Sequence, residues 1–240
     1  MTKKGKLELS PRLQLLADWV PVGVRIADVG TDHAFLPVWL VLQEKVDSAI
    51  ASDLREGPLA RGAETAKEYG VSDRVEMRLC SGLNGIDSSE ADVIIIAGMG
   101  GENIVQILSA AMWTADGNHT LLLQPMSKVE LLRDFLARNG YEIIREALVR
   151  DRGTVYPVME VTAGHMELTQ GQLYAGAKLL HDPLQERALI EKIIRYQSVV
   201  AGLNRTGRAA DQEKANDIRD LIGELLVMRE EWRHANCSSN

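Results

Sequence analysis

The sequence predicts an α/β protein: a doubly wound, mostly parallel sheet of seven strands, followed by an α-helical antiparallel coiled-coil domain. Two observations lead to this prediction. Strand-like and helix-like segments alternate over the first 164 residues, which is typical of parallel sheets. After Gly164 the apolar residues recur at alternating spacings of three and four, and no convincing strand follows. We therefore expect two domains, residues 1–164 and 165–240.

The predicted sheet has a central strand that is buried on both faces. Residues 93–97 (VIIIA) are too continuously apolar for a half-exposed strand. The last two strands have no full helix between them, which indicates an antiparallel hairpin at one edge of the sheet. The seven predicted strands are 24–29, 47–52, 74–79, 91–97, 119–123, 141–149 and 154–162.

The helices of the first domain have ends that can be located in the sequence. Serine and similar residues cap helix N-termini, proline favours the first helical position, and glycine follows helix C-termini. The sequence therefore predicts helix starts at Ser10-Pro11 and at a capping box formed by Ser127 and Glu130, a helix over 57–69 that ends at Gly70, and a helix end at Asn139-Gly140.

The second domain reads as two helices joined by a turn over residues 202–207. Asp182-Pro183 with Gln185 predicts a capped start for the first of them. Each helix has one apolar stripe, which predicts a buried seam between antiparallel helices. The stripes are Leu189, Ile193, Tyr196, Val200 and Leu203, and Ile218, Leu221, Leu225, Met228 and Trp232.

Composition and charge exclude several classes of protein. The chain has 240 residues, of which 45% are hydrophobic and 25% are charged, as in ordinary globular proteins. It has no apolar run of about 18 residues and no secretory leader, so we expect a cytoplasmic protein with no membrane partner. Two cysteines, Cys80 and Cys237, are too few for a disulfide scaffold or a four-cysteine zinc site, and we expect no metal. The net charge of −7 disfavours nucleic-acid binding through bulk positive charge but permits a local basic face.

The loop after the first predicted strand carries the first candidate binding residues. Ligands of open α/β sheets bind beyond the carboxyl ends of the strands. The segment over 28–33 (DVGTDH) has one glycine, Gly30, for a tight turn. Asp32 stands where the nicotinamide fingerprint has its second glycine. A carboxylate there repels a pyrophosphate and attracts a cationic ligand.

The loops after the next three strands extend this candidate site. Asp53 ends the second strand, 23 residues after Gly30, where an acid accepts hydrogen bonds from ribose hydroxyls. The fourth strand runs into residues 97–101 (AGMGG), where three glycines let a flat ring lie against backbone, although a plain tight turn is the alternative. The chain contains neither a phosphate-binding loop nor a His-Glu-x-x-His metal motif. An acid and glycine loops without phosphate machinery fit S-adenosylmethionine, which is cationic.

Four segments resemble the bacterial tRNA (adenine-22-N1)-methyltransferase family: SPRL (10–13), ADVGTDHAFLP (27–37), IIIAGMGGENI (94–104) and LLLQPMSKVELLRDFLARNGYEI (121–143). The resemblance covers roughly residues 7–164, and the helical tail matches the family in architecture more than in motif. It implies a Rossmann-like class I methyltransferase domain followed by a coiled coil. It also implies methyl transfer from S-adenosylmethionine to N1 of an adenine in the D-loop region of tRNA.

The resemblance also implies roles for individual residues. Gly98 and Met99 would lie where cofactor and target base meet, and no general base is assigned. Ser81 departs from the Asp or Asn of many relatives, although a hydroxyl can still accept from the adenine amino group. The implied cofactor-binding residues are Asp28, Gly30, Thr31, Asp32, His33, Asp53, Leu54, Ser81, Gly82, Leu83 and Ala97.

The chemistry of adenine N1 constrains the mechanism. This nitrogen carries no proton in neutral adenine, so in-line attack on the sulfonium methyl group needs no general base. The GMGG segment offers no side-chain carbonyl to an exocyclic amine, which favours the ring nitrogen over N6. Because N1 lies on the pairing edge, the base must leave its stack. Candidates to receive or bind the substrate are Arg12, His33, Gly100, Gly101, Gln124 and Pro125.

Contacts to tRNA require positive charge, and the sequence has three basic clusters, although a charge cluster taken individually is more often a solvated face. The clusters are Lys3, Lys4 and Lys6 with Arg12 behind them; Arg145, Arg150 and Arg152; and Arg195, Arg205 and Arg208. The sequence leaves open a monomer or a weak dimer. It also leaves open two other functions: a class I methyltransferase that acts on another RNA or a small molecule, and a non-catalytic interaction protein that senses S-adenosylmethionine.

Overall fold

A computed structural model of the chain, which describes residues 6–205 and 208–237, contains one seven-stranded sheet. The strand order is β3-β2-β1-β4-β5-β7-β6, so the order reverses between β1 and β4. The predicted doubly wound sheet is confirmed. The strands are β1 (Ile26–Val29), β2 (Ala49–Asp53), β3 (Val75–Leu79), β4 (Val93–Gly100), β5 (Thr120–Ser127), β6 (Tyr141–Asp151) and β7 (Thr154–Ala163).

Strands β1 to β5 pair in parallel, and β7 pairs antiparallel with β5. Strands β6 and β7 are neighbours at one edge of the sheet and are joined by only Arg152 and Gly153. A connection this short can join only antiparallel strands. The predicted hairpin at the edge is therefore present.

Five helices cover the two faces of the sheet: α1 (Pro11–Trp19), α2 (Phe35–Leu42), α3 (Glu56–Glu68), α4 (Gly101–Ser109) and α5 (Val129–Arg138). In β4, Ile95 belongs to the apolar cluster that contains α1 and α2, whereas Ile94 and Ile96 belong to the cluster that contains α4 and α5. All three isoleucines are fully buried. This strand is covered on both faces, as its continuous apolar run predicts.

The predicted helix ends are only partly correct. Helix α1 begins at Pro11, but Ser10 makes no side-chain hydrogen bond to it. Helix α3 stops before Gly70, which has φ +74°, as expected for a glycine that ends a helix. The capping box at Ser127 is wrong, because that residue still pairs with Gly100 as the last residue of β5. The left-handed residue Lys128 precedes α5 instead.

Of the described residues, 146–148, 167–205 and 208–237 form a second unit, which contains the helical segment, while 6–145 and 149–166 form the first. Its helices are α6 (Gln170–Ala175), α7 (Gln185–Asn204) and α8 (Ala209–Cys237). Helices α7 and α8 bury the predicted seam, in which Leu189, Ile193, Leu221 and Leu225 are all buried.

Three details of the second unit differ from the predictions. Helix α6 was not expected, although Thr169 and Gln172 form its capping box. Helix α7 begins at Gln185 and is preceded by Leu184, so the predicted cap at Asp182 is wrong; this carboxylate accepts the Leu184 N–H of the preceding turn instead. Helix α7 continues through Asn204, and the end of the predicted turn, residues 206 and 207, lies outside the described residues. None of the described helices is both long and apolar enough to cross a membrane.

Candidate functional site

The predicted site residues come together at the carboxyl ends of β1, β2, β3 and β4, because these strands are parallel and adjacent. Residues 30–34 follow β1, Asp53 ends β2, and residues 81–83 follow β3. The remaining predicted residues lie in the last halves of β4 and β5. They are Ala97, Gly98, Met99, Gly100, Gln124 and Pro125, with Gly101 at the start of α4.

The loop after β1 is held tightly to β2. The backbone N–H groups of Gly30 and Thr31 both donate to the carbonyl oxygen of Ser52, at 2.8 and 2.9 Å. Gly30 has φ +78°, and the Thr31 hydroxyl accepts the N–H of Ala34 at 3.1 Å. A side chain at Gly30 would also collide with the methyl group of Met99. The loop therefore requires glycine at this position for its backbone conformation, and an added side chain would also displace the flexible end of Met99.

Asp28 is a buried carboxyl group at the end of β1. Burial raises its pKa to about 6, and a hydrogen bond from the Thr31 side chain offsets only part of that increase. A buried carboxyl of this kind gains its charge more readily when a cation lies close to it. Asp28 is therefore suited to face a cationic ligand.

Asp32 lies in a different environment on the same loop. Its exposed carboxylate accepts a hydrogen bond from Arg61 of α3, and this contact holds the pKa of Asp32 below its ordinary value. His33 lies 3.6 Å from the same carboxylate, and its ring stacks on Phe35 with the centroids 5.0 Å apart. Because Arg61 already neutralises Asp32, the cation-attracting role predicted for Asp32 suits Asp28 better.

Asp53 and the loop after β3 form the next part of the candidate site. Asp53 is buried, and its Oδ1 accepts the N–H of Arg55 at 2.8 Å. Its own carbonyl oxygen accepts the N–H of Cys80, which joins the two loops. The neighbouring side chains differ in exposure, since Leu54 is exposed whereas Leu83 belongs to the core. Gly82 (φ +57°) packs against Ile107 of α4, with Ser81 just before it.

The end of β4 is irregular at the predicted junction of cofactor and base. Ala97 pairs with Gln124 and Met99 with Pro125, and the register shift between these pairs leaves Gly98 in a bulge. Gly98 is exposed and has φ +75°. The segment is therefore open to a ligand at Gly98.

The next two glycines serve packing. A side chain at Gly101 would collide with the carbonyl oxygen of Lys128, and one at Gly100 would approach the Ser127 hydroxyl to 3.2 Å. Gly101 is also buried. Of the three glycines, Gly98 is therefore open to a ligand, whereas Gly100 and Gly101 allow close packing.

Arg12 contacts neighbouring residues on three elements. Its Nε donates to Asp151 of β6 at 2.7 Å, and its Nη1 donates to Gln124 of β5 at 2.6 Å. Its guanidinium also lies over the ring of Tyr156, 5.4 Å from the centroid. Arg12 therefore does not contribute to the basic surface expected around residues 3–12, because its guanidinium is bound to these partners. Sequence reasoning missed Asp151, because the ion pair joins residues 139 positions apart.

The other basic clusters are also only partly available. Lys3 and Lys4 lie outside the described residues, and Lys6 is exposed. Arg145 donates to Glu160 at 2.7 Å and lies 4.0 Å from the centre of the Trp19 ring. The remaining members are exposed: Arg150, Arg152, Arg195, Arg205 and Arg208. Over residues 6–205 and 208–237, no three His, Cys, Asp or Glu side chains are grouped to hold a metal ion.

Comparison with known proteins gives consistent matches. Residues 9–159 match the family model of a methyltransferase domain. The chain is 35% identical over 236 residues to the tRNA (adenine(22)-N(1))-methyltransferase of Bacillus subtilis strain 168, which covers 96% of this chain and 99% of that protein.

Solved structures show the same likeness. The crystal structure of the B. subtilis m1A22 tRNA methyltransferase TrmK has a TM-score of 0.86 and 28% identity, covering 93% of this chain and 100% of that one. Streptococcus pneumoniae Sp1610, solved in complex with S-adenosyl-L-methionine, has a TM-score of 0.80 and 29% identity, covering 91% and 100%.

Proposed function

The chain belongs to the methyltransferase family that includes the tRNA (adenine(22)-N(1))-methyltransferases, and from this premise we propose that it methylates N1 of adenine 22 in tRNA with S-adenosylmethionine as donor. One observation carries the proposal: the 35% identity to the B. subtilis enzyme extends over 96% of the chain, and so includes both the sheet and the helical segment. Since tRNA is the substrate, we place the reaction in the cytoplasm.

The residues at the carboxyl ends of the parallel strands fit this cofactor. When bound, S-adenosylmethionine supplies the methyl group and brings a positive sulfonium and a positive ammonium. The buried carboxyl of Asp28 suits that positive charge, and Gly30 gives the adjoining turn its left-handed backbone conformation. We assign the ribose hydroxyls to Asp53 at the end of β2. The other proposed cofactor residues are Thr31, Asp32, His33, Leu54, Ser81, Gly82, Leu83 and Ala97.

The target base is proposed to enter at the bulge of β4. Gly98 is exposed there, and Met99 lies between it and the loop after β1. Neutral adenine has a lone pair and no proton at N1. The protein therefore needs only to hold the base with N1 facing the methyl group of the donor. We propose that the base contacts Gly100, Pro125, which pairs with Met99, and His33 of the loop after β1. Gln124 is fully buried and Gly101 is packed, so these two act from behind that surface.

The domain arrangement follows from the same proposal. We propose that residues 1–164 bind the cofactor and that residues 165–240 form a helical domain. Exposed arginines occur in both, at Arg150 and Arg152 in the first and at Arg195, Arg205 and Arg208 in the second. Such side chains are suited to phosphate contacts with a folded RNA.

The decisive experiment is incubation of the protein with unmodified tRNA and radiolabelled S-adenosylmethionine, followed by primer extension. Methylated N1 blocks pairing, so we expect a strong stop at adenine 22. A matched tRNA with guanine at position 22 should take up no label. A stop at another nucleotide, label only in small molecules, or cofactor binding without any transfer would each contradict the proposal.

A further inference from the structure

The side chains of Asp151, Arg12 and Gln124 form a hydrogen-bonded network that ends at the backbone of Gly98. The N–H of Gly98 donates to Oε1 of Gln124 at 3.3 Å, and the same oxygen accepts Nη1 of Arg12 at 2.6 Å. Nε of Arg12 donates to Oδ2 of Asp151 at 2.7 Å. Three separate strands and α1 thus meet at one exposed glycine of the proposed site.

Gly98 depends on this contact because it lies in a bulge. The register of β4 against β5 shifts between Ala97 and Met99, which leaves Gly98 without a partner residue on β5, so its N–H finds its partner in a side chain. An unpaired backbone N–H is costly when water is excluded, as it is when a substrate covers the site. The position of Gln124 therefore controls the conformation of the bulge.

Arg12 decides which end of the Gln124 amide faces Gly98. A glutamine amide can rotate by half a turn, which would place its NH2 group against the Gly98 N–H. Arg12 is only a donor, so it requires the oxygen at that position. In the observed orientation, Nε2 of Gln124 donates to the carbonyl oxygen of Pro125 at 3.0 Å, and the side chain is fully buried.

Asp151 fixes Arg12 in turn. Its carboxylate is only 5% exposed, and the Arg12 side chain is 21% exposed. A buried carboxylate needs its cation close by, and removing one partner leaves the other without compensation. Arg12 is consequently held beside Gly98, where a β-carbon would lie 3.9 Å from Nη1.

We propose that Asp151, Arg12 and Gln124 are positioning residues that hold the Gly98 bulge in the shape needed for methyl transfer, without touching cofactor or base. This rests on the proposed function of the site. Misplacement of reacting groups by about 1 Å can cost up to about 100-fold in rate. Loss of any member should therefore lower turnover far more than cofactor affinity.

The test uses the full-length protein with Gln124→Met, Asp151→Ala and the double variant. We expect each single variant to lose about 10- to 100-fold in kcat, with KM for tRNA and Kd for S-adenosylmethionine within about threefold of wild type. Because the residues act as one chain, the double variant should be no slower than the worse single variant. Arg12→Lys should resemble Asp151→Ala, since a lysine cannot reach both partners.

Asp92→Ala is the matched control. Asp92 pairs with Arg25 just before β4, at the opposite end of the same sheet. We expect it to lower thermal stability while leaving kcat unchanged. If kcat of the test variants falls only in proportion to the folded fraction measured by circular dichroism, the residues are structural and the inference is wrong. Multiplicative losses in the double variant would also overturn it.

Amide hydrogen exchange at Gly98 provides a readout that does not depend on the proposed function. We expect the exchange to accelerate at least about tenfold in Gln124→Met and Asp151→Ala and to stay unchanged in Asp92→Ala. Unchanged exchange in Asp151→Ala would overturn the inference. A wild-type protein that leaves tRNA unmethylated would instead contradict the proposed function, while the exchange result still decides the inference.

Discussion

The methyl group of Met99 lies against Gly30 in the space that a β-carbon would occupy. This contact links the end of β4 to the first loop of the proposed cofactor site. The two segments are 69 positions apart, and a side chain at residue 30 would have to displace the end of the Met99 side chain. The contact also makes Gly30 a sensitive position for testing the site.

Gly30→Ala should lower both stability and cofactor affinity. The left-handed conformation costs an L-residue roughly 1–2 kcal/mol, and the new methyl group displaces Met99 as well. We expect at least about tenfold weaker binding of S-adenosylmethionine by isothermal titration, and Gly30→Ala/Met99→Ala should recover part of the lost melting temperature. Gly70→Ala is the control for backbone conformation, because Gly70 has φ +74° and open space around it. Equal effects of the two alanine substitutions would contradict the role of Met99.

Asp53→Ala tests the ribose assignment. A hydrogen bond to a charged group contributes about 1.5–3 kcal/mol, so we expect cofactor affinity to fall by roughly 10- to 100-fold in isothermal titration. Asp47→Ala removes an exposed carboxylate just before β2 and should leave the affinity unchanged. Comparable affinity of wild type and Asp53→Ala would remove this residue from the site.

Asp28→Asn should change the pH dependence of stability. The folded-state pKa of Asp28, about 6, lies above its unfolded value near 4. Wild type therefore loses stability as the pH rises from about 4 to 6, where only the folded state retains the proton. The loss of stability is at most about 3 kcal/mol. The Asp28→Asn variant does not show this loss, because asparagine does not titrate. We expect the melting-temperature advantage of Asp28→Asn to grow over this range and then level off.

A constant difference between wild type and Asp28→Asn from pH 4 to 8 would show that the buried carboxyl does not titrate as described. The cofactor supplies a second readout. Since a cationic ligand favours the ionised carboxyl, the affinity of wild type for S-adenosylmethionine should rise between pH 5 and 7, and that of Asp28→Asn should rise less.

Leu225→Ala tests whether the helical segment is a separate domain. Leu225 is fully buried between the helices of the second unit, and such truncations cost about 2–5 kcal/mol. We expect a lower melting temperature of the helical signal, with the affinity for S-adenosylmethionine within about twofold of wild type. Leu226→Ala, at a side chain that is 43% exposed, is the neighbouring control and should change little. Loss of cofactor affinity in Leu225→Ala would contradict two independent domains.

Local patterns in the sequence predict most of the fold. The apolar run over 93–97 identifies the central strand, because burial on both faces leaves no position for a polar residue. The stripes of α7 and α8 likewise follow from the geometry of a helix pair. The capping box at Ser127 fails because a strand pairing with Gly100 extends through it, which local propensity does not reveal.

The loops of the site can be predicted from the sequence, but the contacts between residues that are distant in the sequence cannot. Gly30 and Asp53 follow strands that become neighbours, and their placement follows from parallel topology. The contacts of Arg12 with Gln124 and Asp151 depend on where β6 is placed by the edge hairpin. The packing of Gly101 on Lys128 likewise depends on two helix starts that are distant in sequence.

That last contact bears on any effort to redirect the protein to a different acceptor. With Gly101 and the Lys128 carbonyl in direct contact, a side chain at 101 would force apart the first turns of α4 and α5. Gly98, by comparison, has open space beside it apart from the Arg12 guanidinium. A combinatorial library should therefore keep 101 invariant, since variants at 101 would be lost as misfolded chains before their selectivity could be measured. Position 98 should be varied only to residues that tolerate its left-handed backbone, φ +75°.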